Sequence, residues 1–296
     1  MPFIKRKFYI EKEIKAFLFL IRELGLSQGE AQRFIDKKRL ILSSGEILKD
    51  KSALIKGDIE VILFKPESRD ISPIFQTKEF LVFDKPSGIL VHPKDLNTQY
   101  SMLDEIRYFG GERANPVHRI DKETSGLLLA SKNSKSERYL KNLFQTKEIK
   151  KSYLAWVRGR VDRDFCVEEP IAIRRDYTSS KHKVEISKYG KFAKTLFKPK
   201  VYNRGLNMSL LECFPLTGRT HQIRIHLFHV KHSIVGDPIY GVSNAIAERY
   251  LDDKLSQQER IRETGAKRLM LHANSLFFKY RNFYKIFSKM DFNYEI

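Results

Sequence analysis

Apolar positions fall into three textures along this chain. Residues 11–24 and 28–38 carry them at helical spacing, and Ser27-Gln28-Gly29-Glu30 has the S-x-x-E form in which serine and glutamate cap a helix start reciprocally. Two short helices are predicted there. Next come short apolar runs punctuated by turn residues: Leu40-Ile41-Leu42, Ser43-Ser44-Gly45, Ile47-Leu48, and Ile55-Lys56-Gly57-Asp58 leading into Ile59-Glu60-Val61-Ile62-Leu63. Short strands and tight turns follow, which closes a small α/β module over residues 1–64. Residues 65–78, with Pro66 and Pro73, predict a linker. Beyond it, strand-like runs at 79–85, 126–130, 153–158, 195–202, 207–213 and 268–278 outnumber the helix at 134–144. Because strands and helices do not alternate regularly, residues 79–296 predict an α+β domain built on a mixed, largely antiparallel sheet with flanking helices.

Charge narrows the class of partner. The 296 residues hold 55 Lys and Arg against 36 Asp and Glu, a net charge of +19, which suits a densely negative partner such as nucleic acid. The excess is uneven, since residues 131–200 hold 19 basic and 8 acidic side chains. Two cysteines, Cys166 and Cys213, in no Cys-x-x-Cys arrangement point to neither a disulfide framework nor a cysteine-ligated zinc, and fit a reducing cytoplasm. The apolar run Ala16 to Ile21 is too short for a signal or membrane helix, so an unexported, soluble protein is expected.

Two dense polar stretches read as a site. In His118-Arg119-Ile120-Asp121-Lys122-Glu123-Thr124-Ser125-Gly126-Leu127, Asp121 stands between two cations, and a carboxylate so placed can serve as nucleophile or base. Arg119 is open to two roles, partner of Asp121 or contact to substrate. The second stretch, Gly218-Arg219-Thr220-His221-Gln222-Ile223-Arg224-Ile225-His226, continues through His229 and His232 to Gly236-Asp237-Pro238-Ile239-Tyr240-Gly241. His226, His229 and His232 at three-residue steps with Asp237 raise a metal site, but Arg219, Arg224 and Lys231 would repel a cation, so no metal is expected. Gly126 and Gly218 are expected to allow tight backbone geometry.

These two stretches, with Lys85-Pro86-Ser87-Gly88 and Lys151-Ser152-Tyr153-Leu154-Ala155, resemble the motifs of the RluA class of pseudouridine synthases over residues 79–278. The N-terminal module resembles the small RNA-binding module of the "S-four" type, with Ser27, Ala31, Gly45, Gly57 and Asp58 in matching places and no glycine after the second helix. The resemblance implies an isomerase that detaches a uracil from its ribose and rejoins it through carbon five, with no cofactor. Asp121, Tyr153 and Arg224 match the catalytic aspartate, the tyrosine that packs on the base, and the arginine that pairs with the aspartate. Arg119 is then left to enter the RNA. Further RNA contacts are expected from Lys85, Arg219, Lys37, Lys38 and Arg39, although Lys85-Pro86-Ser87-Gly88 also reads as a turn at the floor of a cleft. The partner implied is structured RNA, large-subunit ribosomal RNA ahead of transfer RNA, bound by a monomer. The competing readings are a non-catalytic RNA-binding or ribosome-assembly factor and a metal-dependent nuclease.

Overall fold

A computed structural model describes residues 2–173 and 184–293. The chain divides into two compact units, Met1–Glu67 with Pro93–Tyr100, and Ser68–His92 with Ser101–Ile296.

In the first unit, strand β1 (Phe3–Lys15) runs directly into helix α1 (Ala16–Leu24), followed by α2 (Gln28–Asp36), β2 (Leu40–Leu42) and β3 (Leu54–Phe64). The sheet has the order β1-β3-β2 and is antiparallel, with its core formed by Ile10, Phe19, Leu20, Ile35, Leu40 and Ile59. The expected capping box at Ser27 is present: the Ser27 N–H donates to Glu30 Oε2 at 2.8 Å and the Glu30 N–H to Ser27 Oγ at 3.4 Å. Residues 11–15 belong to a strand and not to the helix expected over 11–24. Ile10 lies opposite Gly57 and Ile14 opposite Ile55, so four residues of β1 span two of β3 across an irregularity. Two inward side chains four residues apart therefore imitate a helical repeat. Where the resembling module has glycine after its second helix, Lys38 takes a left-handed conformation with φ of 58°.

The second unit contains β4 (Phe75–Gln76), β5 (Phe80–Lys85), α3 (Met102–Gly110), β6 (Asn115–Pro116), β7 (Ser125–Ser131), α4 (Ser134–Gln145), β8 (Lys150–Arg158) and β9 (Phe165–Val167). It continues with β10 (Ile171–Ile173), β11 (Val184–Ile186), β12 (Thr195–Asn203), β13 (Met208–Pro215), α5 (Gln222–His229), α6 (Asn244–Leu251), α7 (Gln257–Thr264), β14 (Leu271–Tyr280) and β15 (Asn282–Phe287). The large sheet runs β4-β5-β7-β14-β8-β13-β12-β9, with β15 paired to β14 and β6 to β7, while β10 and β11 pair separately. Every pairing in the large sheet is antiparallel except that of β7 with β14. The expected α+β class, a mixed and largely antiparallel sheet with flanking helices, is the observed one. Of the basic stretch 131–200, Arg174, Arg175, Lys181 and Lys183 lie outside the described residues.

Two boundaries differ from expectation. Residues 68–78, read as linker, belong to the second unit: Ser68 Oγ donates to Glu105 Oε2 at 2.7 Å, and β4 pairs with β5. Residues 93–100, read as part of the larger domain, group with the first unit.

The middle of the large sheet positions the site. β7 is buried along its whole length and meets β14 at Ser125 and Gly126, opposite His272 and Ala273. A Cβ at Gly126, where φ is 101°, would stand 2.3 Å from the Ala273 carbonyl oxygen, so only glycine lets the strand following the Asp121 loop enter the sheet here. Gly218 has no such constraint: its nearest neighbour to an added Cβ would be Lys151 Nζ at 3.7 Å.

Candidate active site

The loop between β6 and β7 carries Asp121 and is held from below. Lys85, the last residue of β5, is fully buried, and its Nζ donates to the carbonyls of Pro86, Ile89 and Lys122 at 2.8, 2.9 and 2.9 Å. The Gly88 N–H also donates to the Lys122 carbonyl at 2.9 Å, and Ser87 Oγ to the Glu123 carbonyl at 2.6 Å. The Glu123 carboxylate receives Arg260 Nη2 at 2.6 Å and the Tyr250 hydroxyl at 2.8 Å. Burial alone would raise the pKa of Glu123, but Arg260 and Tyr250 outweigh it and leave the group below the usual glutamate range. At the start of the loop, His118 Nε2 accepts the Leu129 N–H at 2.9 Å and its ring stacks on Phe144. Burial, assisted by the charge of Lys151, pushes His118 down to about 3, so the ring is neutral with its proton on Nδ1.

Helix α5 and the turn after it supply the facing side. Gln222 uses its whole amide: Oε1 accepts from Thr217 Oγ1 and the Arg219 N–H, and Nε2 donates to the Lys194 carbonyl and Thr195 Oγ1. Two residues on, buried Arg224 donates from Nε and Nη2 to the two carboxylate oxygens of Asp237, both at 2.7 Å. Asp237 Oδ1 also accepts the N–H groups of Ile239 and Tyr240 at 2.9 and 3.0 Å. Burial opposes charge on both partners, yet the pairing prevails, holding Asp237 below and Arg224 above their ordinary values.

The two sides meet at Asp121. Its Oδ2 lies 3.6 Å from Arg224 Nη1 and 3.7 Å from His221 Nε2. His221 Nδ1 is 3.0 Å from the Tyr240 hydroxyl, whose oxygen accepts the Val184 N–H at 3.2 Å. The hydroxyl proton is then available to His221 Nδ1, which places the proton of a neutral His221 on Nε2, toward Asp121. Tyr153 on β8 is 9% exposed and lines the same cleft, with Arg119, Lys151, Arg219 and Ile223. Burial, and then the charge of Asp121, push the Tyr153 phenol upward. Burial pushes the Lys151 amine downward. The cleft therefore offers a partly exposed carboxylate beside one fixed guanidinium and one imidazole, a protonated phenol, and two exposed arginines among its lining residues.

The structure brings Arg119, Asp121, Tyr153, Arg219 and Arg224 to one cleft. Arg119 and Arg219 are exposed, Arg219 donating from Nε to the Phe192 carbonyl at 3.0 Å. Lys37 and Lys38 are exposed in the first unit, where the Arg39 guanidinium lies over the rings of Phe3 and Phe34 at 4.9 and 5.7 Å. Lys85 corrects the expectation of an RNA contact. Burial pushes its ammonium down to about 7 against the pull of Glu123 and Asp121, and all three of its protons are spent on main-chain carbonyls. It shapes the floor of the cleft.

Asp237, Glu123 and Arg260 escaped the reading of residues. From the sequence Asp237 reads only as a metal ligand, because pairing with Arg224 across 13 positions follows no helical or strand spacing. The Arg260 partner of Glu123 is 137 residues distant. His226 is no ligand either: Nδ1 contacts Thr195 Oγ1 at 2.9 Å and Nε2 the Glu169 carbonyl at 3.1 Å. Among the described residues, no group of three His, Cys, Asp or Glu side chains is placed to hold a metal ion.

Comparison with known proteins gives the family. Residues 79–229 match the family of RNA pseudouridylate synthases. An uncharacterised RNA pseudouridine synthase from Helicobacter pylori (strain ATCC 700392 / 26695) is 43% identical over 98% of this chain and 95% of its own. The ribosomal large subunit pseudouridine synthase C of Haemophilus ducreyi is 29% identical over 88% of this chain and 83% of its own. In fold, the human RNA pseudouridylate synthase domain containing 1 superposes with a TM-score of 0.58 at 23% identity, covering 77% of this chain and 86% of that one. With a family match across half its length, and a relative that alike almost from end to end, this chain belongs to the RNA pseudouridylate synthases.

Proposed function

We propose that this isomerase converts a uridine of large-subunit ribosomal RNA to pseudouridine, with Asp121 as the reacting carboxylate, Arg224 as its fixed cation and Tyr153 against the uracil. The observation that carries the reading is Asp121 Oδ2 at 3.6 Å from a guanidinium that Asp237 already holds bidentately. A stacked nucleotide cannot present its glycosidic bond to a carboxylate at the bottom of a cleft, so the uridine is flipped out, with Arg119 at the rim placed to fill the space it leaves. Whether Asp121 attacks the ribose or removes a ribose proton, its negative charge is neutralised. The charge returns when carbon five joins the ribose, so Tyr153, kept protonated by burial and by Asp121, packs against the base while the carbon-five proton leaves to water.

The ribosomal target draws support from relatives named as large-subunit enzymes. The first unit, of strand, two helices and strands, supports an RNA-binding role for Lys37, Lys38 and Arg39. No helix among the described residues is long and apolar enough to cross a membrane, and a monomer working in the cytoplasm is part of the proposal. The test is a map of pseudouridines across ribosomal and transfer RNA from cells lacking the protein, complemented with wild type or with Asp121→Ala. Ribosomal sites lost on deletion and restored by wild type alone are expected. Loss confined to transfer RNA overturns the target, and restoration by Asp121→Ala overturns the role of the aspartate.

A further inference from the structure

The hairpin of β14 and β15 anchors one face and bares the other. Leu276, Phe278 and Ile286 are buried in the core, whereas Phe277, Phe283 and Phe287 are 36, 67 and 50% exposed on the opposite face. Lysines separate the exposed rings. Phe277 lies opposite Lys150 of β8 on one side and Lys285 on the other, and Lys279 lies opposite Phe283. The ammonium groups rest on the rings, Lys279 Nζ at 5.3 Å from the Phe283 centroid and Lys285 Nζ at 5.2 Å from that of Phe287. Phe277 and Phe283 are themselves near parallel, 8° apart in plane and 5.9 Å between centroids. Neither β8, β14 nor β15 contains an aspartate or glutamate.

This face is separate from the cleft. Strand side chains alternate, and Lys151 and Tyr153 of β8 line the cleft, so Lys150 points to the other side of the sheet. The core does not need these phenylalanines, which hold apolar area in water beside cations. Flat π-faces interleaved with ammonium groups match the two halves of a nucleotide, a base to stack and a phosphate to neutralise.

We propose that this sheet face is a second RNA-binding surface, stacking bases of an unpaired stretch of the substrate RNA on Phe277, Phe283 and Phe287 while Lys150, Lys279 and Lys285 meet its phosphates. The inference rests on the reading of the substrate as RNA and adds a site outside the cleft. A second copy of the chain fits poorly, because a two-fold contact through this face would press one lysine cluster against its own copy in a protein of net charge +19. The surface explains how a long substrate can be gripped on both sides of the sheet while a single uridine enters the cleft.

The probe is a single-stranded oligouridine of about 12 nucleotides, a length within the range such surfaces cover, bound to the full chain. Ultraviolet cross-linking is expected to mark residues within 277–287. The double variant Phe283→Ala with Phe287→Ala should weaken binding by about tenfold or more, and Phe283→Trp with Phe287→Trp should restore it. Lys279→Glu with Lys285→Glu should weaken binding and flatten its dependence on salt. Unchanged affinity in the alanine and glutamate variants, or cross-links confined to the cleft, overturn the proposal. A change in sedimentation without a change in RNA affinity also overturns it and marks the face as a contact between copies. Cross-linking needs no turnover, so an absence of pseudouridine in every RNA defeats the proposed function alone, and active enzyme with indifferent phenylalanines defeats this surface alone.

Discussion

The loop around Asp121 is gripped at its main chain, with Lys85, Ser87 and Gly88 reaching the Lys122 and Glu123 carbonyls from beneath, and by the Glu123 carboxylate next to it. Residues 217–240 are held mostly through side chains, by the Gln222 amide, the Arg224–Asp237 pair and the His221–Tyr240 contact. The difference follows from what each must present. A loop gripped by its carbonyls leaves the Asp121 side chain uncommitted except to Arg224 and His221, at distances beyond a close hydrogen bond. A segment gripped by its side chains presents a cation that cannot turn away. With Asp121 as the proposed reacting group, reactivity sits on one side and rigidity on the other.

Exchanging the two aspartates for asparagine tests this division most severely. Asp121→Asn should lower pseudouridine formation by on the order of a thousandfold or more, with RNA affinity and the denaturant midpoint nearly unchanged. Asp237→Asn should do the opposite first, costing about 3–5 kcal/mol of stability because Arg224 keeps its charge in a buried place with half its pairing gone. Equal stability losses in the two variants, read from denaturant unfolding, would abolish the distinction.

Lys85→Met sharpens the contrast on the other side. Removing the ammonium takes the donor from the Pro86 and Ile89 carbonyls and leaves the Lys122 carbonyl with the Gly88 N–H alone, which should cost about 2–4 kcal/mol and lower activity through a displaced loop. RNA affinity should change little, and a selective loss of affinity would return Lys85 to the RNA-contacting role that its burial denies.

The most gradual effect is one of pH. His118 is pushed down to about 3 and His272, by burial and then Arg268, to about 4, while an unfolded histidine titrates near 6.5. Below that pH the unfolded chain binds protons that the folded chain refuses, so stability falls as pH drops from about 6.5 toward these values, by up to about 1.4 kcal/mol per unit for each ring. His118→Gln should make the acid-side fall shallower in urea titrations between pH 7 and 4, and an unaltered slope would show that His118 is protonated in the folded protein.

The strands of the second unit were legible because buried runs such as Phe80–Phe83 and Leu127–Ala130 are apolar without interruption. The Asp121 and Arg224 stretches were legible because so many polar groups in adjacent places have few scaffold uses. What escaped was pairing. Nothing in the order of residues connects Glu123 with Arg260 or Arg224 with Asp237, and a lysine beside a Pro-Ser-Gly turn looks alike whether its ammonium faces phosphate or carbonyls. The strand at 11–15 escaped for a different reason, since the irregularity opposite Gly57 gave its apolar residues a false period.

The double bond pattern between Arg224 and Asp237 carries one more implication. A guanidinium is flat, and clamping one edge of it fixes the plane and heading of the opposite edge, so Nη1 serves as a rigid datum from which Asp121 is measured. Such a site has little ability to remodel itself around different nucleotides. With Asp121 reacting as proposed, choice among uridines is exercised upstream, by surfaces that decide which stretch of RNA is delivered, leaving the chemistry itself almost blind to its address.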